Sequence, residues 1–64
     1  MEIETTIPKR AFGEKESGHY LGISVQLLRK FRRDGGGPRF VRIGKRVLYD
    51  VNDLNVFWEE QKQA

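Results

Sequence analysis

The chain has 64 residues, 38% of them hydrophobic, and a formal net charge of +3, which suits one small domain with a compact core. It contains no cysteine, which excludes disulfides, a thiolate nucleophile and every thiolate zinc site, and its single histidine cannot assemble a histidine metal cluster. No apolar run approaches the roughly 20 residues that span a bilayer and the N-terminus lacks a signal-peptide stretch, so a reducing cytoplasmic setting is the simplest expectation.

Residues 1–11 read as a tail or short edge segment, with Ile3 and Ile7 available to pack or pair and Pro8 set against a continuous helix. The folded unit is expected over 12–61, with 62–64 as a C-terminal tail. Glu14 to Leu21 reads as a first helix, weakly capped by Gly13, with Glu14 and Glu16 complementing the helix dipole in its first turn. Phe12, Ser17, Tyr20 and Leu21 mark its inner side, Ser17 and Gly18 permit a close approach, and Gly22 suits the position just past its end. Ser24 is a good N-cap for a second helix, with Ile23 before it as a hydrophobic staple.

The second helix is divided. Leu27, Leu28 and Phe31 form its apolar side, while Gln26, Arg29, Lys30 and Arg33 follow the i, i+3, i+4, i+7 spacing on the other. Gly35-Gly36-Gly37-Pro38 ends it. A hairpin follows, with strands Phe40-Val41-Arg42-Ile43 and Arg46-Val47-Leu48-Tyr49 around a bend at Gly44-Lys45; Phe40, Ile43 and either Val47 or Tyr49 are expected in the core. Asp50 and Asp53 resemble a capping box for a last helix with Val51, Leu54, Phe57 and Trp58 as core candidates, fraying from Glu59 onward.

Charge is unevenly spread. The 18 residues from Arg29 to Arg46 hold eight basic side chains and one acid, Asp34, for +7, while the remainder carries −4. Glycines and a proline interrupt this segment, which argues against a membrane-lying amphipathic helix. A basic surface assembled from mixed elements fits nucleic acid best. Two short helices joined by Gly22-Ile23-Ser24 make a helix-turn-helix, whose second helix can enter a major groove. On that geometry Ser24 and the nearby backbone donors suit a phosphate, Gln26 suits adenine, Arg29 and Arg33 suit guanine or phosphate, and Lys30 suits the backbone. Lys45 and Arg46 at the hairpin tip, with Arg39 and Arg42 along the first strand, offer a second contact to backbone or minor groove, Arg39 having the alternative of bracing the glycine-rich connection.

Tyr20-Leu21-Gly22-Ile23-Ser24 with Leu27-Leu28, then Gly37-Pro38-Arg39-Phe40-Val41-Arg42-Ile43-Gly44-Lys45-Arg46-Val47-Leu48-Tyr49-Asp50 with Asp53-Leu54 and Phe57, resembles the small winged helix-turn-helix proteins of the excisionase and MerR-like head group. The resemblance spans Phe12 to Gln61. It implies a compact α+β fold: a helix-turn-helix, a two-stranded β-hairpin wing and a C-terminal helix. It also implies that the second helix, through Gln26, Arg29, Lys30 and Arg33, occupies the major groove while Arg42, Lys45 and Arg46 of the wing touch adjacent backbone or minor groove. Ser17-Gly18 stands where alanines are usual, and the triple glycine before the wing is a further departure.

By that resemblance the protein is expected to be an excisionase-like recombination directionality factor, monomeric in solution and needing no cofactor. It would bind and bend attachment-site DNA beside neighbouring copies and assist an integrase, in the nucleoid-associated cytoplasm of a bacterial host. Alternatives are a small prophage or plasmid transcription regulator, a DNA-packaging recognition subunit, or a protein-interaction adaptor marked by an exposed Phe57 or Trp58. Enzymatic chemistry is not expected. Glu14 and Glu16 at i, i+2 do not share a helix face, Ser24 lacks triad partners, His19 reads as a surface or partly packed residue, and the glycine run lacks the Gly-Lys-Ser/Thr of a phosphate loop.

Overall fold

The computed structural model describes residues 10–62, so the expectations for Ile3, Ile7 and Pro8 lie outside the described residues. Six elements follow in order: β1 (Ala11–Gly13), α1 (Glu14–Leu21), α2 (Val25–Asp34), β2 (Val41–Ile43), β3 (Arg46–Asp50) and α3 (Val51–Lys62). Together they form an α+β domain of three helices and one antiparallel sheet of strand order β1-β3-β2.

Local chemistry places the helix ends. Gly22 adopts φ 75°, its amide donating to His19 O at 3.2 Å while Ile23 N donates to Gly18 O at 2.9 Å, so the last carbonyls of α1 are satisfied by a Schellman motif. That turn folds tightly against α1: a Cβ on Gly18 would lie 2.9 Å from the Ile23 carbonyl oxygen, so only glycine fits without displacing backbone. Ser24 Oγ accepts from Leu27 N at 3.1 Å and caps α2. Gly35 ends α2 in the left-handed region with the same pair of bonds, to Arg32 O and Phe31 O.

The sheet has three strands rather than the two of a lone hairpin. Ala11, Phe12 and Gly13 pair with Asp50, Tyr49 and Leu48, giving β3 a partner on its second edge. A two-stranded hairpin is marginal alone, and β1 satisfies backbone groups that a free edge would leave to solvent. Gly44 at φ 60° is followed by a residue with ordinary negative φ, the pattern of a type II′ hairpin turn.

That register decides the core. Val47 and Tyr49 alternate onto the helix-covered face of β3, and both are buried. Val41 pairs with Leu48 and Ile43 with Arg46, which puts Val41 and Ile43 on the opposite, open face. Ile43 is accordingly 61% exposed, against the expectation from its apolar character, and Phe40 lies just before the edge strand and is also exposed. Leu21, Leu28, Val47, Tyr49, Leu54 and Phe57 form the core, with Phe12, Ile23 and Phe31 packed on it and the Phe31 and Phe57 rings meeting edge-on at 5.7 Å.

Other expected inner residues lie at the margin. Leu27 is exposed beside the α2 cap, Trp58 is half exposed, and Tyr20 is half exposed while its ring approaches Phe12 and its hydroxyl donates to Asn55 Oδ1 at 2.6 Å. Asp50 Oδ1 accepts from Asn52 N at 2.8 Å, so the cap bond of α3 reaches the second helical residue rather than Asp53. Helix α3 does not fray at Glu59. It runs to Lys62, whose ammonium pairs with Glu59 one turn back.

Gly18→Ala is expected to cost about 1–3 kcal/mol in urea unfolding followed by circular dichroism, because the added methyl meets backbone. Gly36→Ala, which meets nothing within 4 Å, should leave the stability within about 0.5 kcal/mol of the parent. Equal effects at the two positions would contradict the close approach of turn and helix.

Candidate nucleic-acid interface

Helix α2 crosses the domain with Leu28 fully buried beneath it. Its helical spacing turns Gln26, Arg29, Lys30 and Arg33 outward, and all four are exposed. Ser24 is exposed at its N-terminus, where its hydroxyl is already engaged as the cap. Arg33 is a loose partner of Asp34 at 3.9 Å and stays open to solvent.

Between the start of α1, the side of α2 and the hairpin lies an open groove of about 680 Å³. Arg29 reaches it from α2, and Arg42, Lys45 and Arg46 reach it from β2, the turn and β3. Four of the nine residues singled out from sequence therefore share one concavity. Lys15 and Arg32 add two further cations, against Glu14 and Glu16 as the carboxylates of its lining. Arg42 is directed here by register: it pairs with Val47 and so shares the helix-side face of the sheet. Arg46 stands on the other face, its guanidinium 3.3 Å from where a Cβ of Gly13 would be, and borders the groove from across β1.

The remaining residues are placed differently. Gln26, Lys30 and Arg33 follow the outer ridge of α2 and do not line the groove. Arg39 is set apart, in a shallow depression with Arg10, Asp50 and Asp53 near the start of α3. It also borders the glycine-rich connection, close to Gly35, Gly37 and Pro38.

Two residues that sequence reasoning left out of the site organise it. The Glu14 carboxylate accepts from both arginines of α2 that face it. Oε1 accepts from Arg29 Nε at 3.3 Å and Nη2 at 3.2 Å, and Oε2 accepts from Arg32 Nη1. Arg32 Nη1 also donates to the hydroxyl of fully buried Tyr49 at 3.4 Å, and its guanidinium lies 5.8 Å from the centre of the Phe40 ring. The spacing signal was present: Arg32 is four residues past Leu28, on the inward stripe rather than the outward one.

These contacts shift the charges. The hydrogen bond from Arg32 holds the Glu14 carboxyl below its ordinary value, aided by the bond from Arg29 and opposed by desolvation. Arg32 is held above its ordinary value by Glu14 first and Tyr49 second. The chain matches no protein-family model and no curated protein sequence.

A carboxyl whose pKa is lowered on folding stabilises the fold above its unfolded value, and loses that contribution as pH falls through the folded one. Glu14→Gln is therefore expected to be less stable than the parent at pH 7, with the gap closing as pH falls from 4.5 through the lower folded value. Urea midpoints of both proteins at pH 7 and pH 3 provide the check. A gap that persists unchanged at pH 3 would show that the carboxylate's charge contributes nothing.

Proposed function

We propose that this chain is a sequence-specific double-stranded DNA-binding protein of the winged helix-turn-helix kind. Helix α2 enters a major groove and the β2–β3 hairpin serves as the wing on adjacent backbone or minor groove. The observation that supports this reading is the convergence of Arg29 with Arg42, Lys45 and Arg46 on one open groove, beside the exposed ridge of Gln26, Lys30 and Arg33. The dimensions agree. An α-helix with its side chains is about 10–12 Å across and a B-DNA major groove is about 12 Å wide. Cations on a helix and on a hairpin tip can then neutralise phosphates on both sides of the groove.

Within that class we favour an excisionase-like recombination directionality factor, which binds and bends attachment-site DNA so that an integrase assembles an excision-competent complex. That choice rests on the resemblance carried by Gly37 to Asp50 and the α1–α2 turn. One observation favours a different reading. Trp58 is half exposed on α3 and shares a shallow depression with half-exposed Tyr20, an apolar surface suited to a protein adaptor, although Phe57 is buried.

Selection of duplexes from a random library at near-physiological salt, with footprinting on the source element, separates these readings. A defined motif in closely spaced copies beside an attachment site is the expected result. A promoter-overlapping operator would replace excision with transcription regulation, and recovery of no motif would leave the adaptor reading in its place. Replacing Lys45 and Arg46 together with alanine should weaken binding to all sequences. It should also flatten the slope of log affinity against log salt by about 0.9 for each phosphate that the hairpin no longer neutralises. An unchanged slope would remove the hairpin from the interface.

A further inference from the structure

We infer that Glu14 is a specificity-determining positioning residue: it grips Arg29 by one edge of the guanidinium and leaves the other edge set to read a guanine. The inference rests on the DNA-binding reading above and adds to it the base that Arg29 reads and the group that aims it.

The geometry is directional. A guanidinium has two usable edges, a side edge made by Nε and one Nη, and an end edge made by both Nη groups. Glu14 Oε1 takes the side edge of Arg29, accepting from Nε and Nη2. The end edge keeps two parallel N–H groups, the fork that pairs with O6 and N7 of guanine. The Arg29 side chain is 53% exposed and lines the groove, so a ligand entering there can reach it.

Glu14 is itself fixed. Its other oxygen is held by Arg32, and Arg32 is held by the hydroxyl of Tyr49 in the core and lies against Phe40. The chain of contacts therefore runs from a fully buried tyrosine to a half-exposed arginine. A free arginine on a helix surface samples many rotamers and must be ordered on binding. One gripped in this way has lost much of that freedom in advance, and a guanine gains more from it than a loosely placed phosphate does. The carboxylate also lowers the local positive charge, so it costs some non-specific attraction while sharpening the choice of base.

The test uses the full chain and duplexes recovered by selection, each paired with variants in which one guanine is replaced. The parent protein should prefer guanine at one position by about 5- to 100-fold. Arg29→Ala should abolish that preference. Glu14→Gln, which keeps size and one acceptor but loses the charge, should reduce it to about threefold or less, with no loss of affinity for non-specific duplex. Adding Glu14→Gln to Arg29→Ala should change the preference no further. The Arg29 Nε–H resonance should also move in the free Glu14→Gln protein, showing the grip before DNA is present.

Retention of the full guanine preference in Glu14→Gln would overturn the inference while leaving DNA binding intact. So would a drop in affinity for every duplex in equal proportion, which marks a structural role only. Absence of any sequence preference in the parent protein would overturn the DNA reading and this inference together. Circular dichroism of each variant separates these outcomes from unfolding. If Glu14→Gln does not fold, Arg32→Met supplies the second measurement. It frees Glu14 from its anchor without touching Arg29 and should lower the guanine preference, and an unchanged preference would overturn the inference.

Discussion

The carboxylate of Glu14 is the contact on which the arrangement of this domain depends. It sits at the first residue of α1, where the dipole favours a negative charge, and it draws two arginines of α2 toward that end. Through Arg32 the same contact reaches the Tyr49 hydroxyl on the central strand, so α1, α2 and β3 meet in one polar cluster. The Arg32–Glu14 bond, with both side chains largely buried, belongs to the charge-assisted class that contributes about 1.5–3 kcal/mol, whereas the bonds from half-exposed Arg29 are screened by solvent and contribute less. The exposed pairs Arg10–Asp50 and Arg33–Asp34 belong to the class worth about 0–1 kcal/mol. Geometry and burial, rather than the number of ion pairs, make Glu14 the one that matters.

A hydrocarbon contact in the same place would also join α1 to α2, and at lower desolvation cost. It would not align a guanidinium. The outer face of α2 is polar and cationic, while its inner face buries Leu28 and packs Phe31 on the core. Arg32 stands on the border between those faces and is the side chain able to satisfy both, its guanidinium facing the Phe40 ring while it pairs with Glu14. The polar cluster thus lies where the core ends and the basic groove begins.

Features governed by neighbours in sequence were legible from the sequence. Gly22 and Gly35 past the helix ends, Ser24 as a cap and Gly44 in the turn all stand where local rules put them. Features governed by pairing were not. Ile43 looks like a core residue until register shows it opposite Arg46 on the open face, and Ala11-Phe12-Gly13 is too short to announce a strand before β3 is there to pair with it. At the candidate site the division is the same. The outward ridge of α2 follows from helical spacing, whereas the clamp joins residues 15 and 18 positions apart and needs the packed helices to be seen.

On the proposed reading, the domain's small size makes positioning and stability share residues. Among the described residues six buried apolar side chains form the core, with no second layer to brace an exposed functional group. A larger protein can hold a recognition side chain with an outer shell of its own. In this one the brace is borrowed from the contact that docks the helices, so Tyr49, Arg32 and Glu14 serve the fold and the groove at once. Selection on either property would then act on both. Stability should therefore be least tolerant of substitution along that short chain of contacts, whereas the exposed Lys45 at the hairpin tip adds charge at the rim of the groove without a part in that brace.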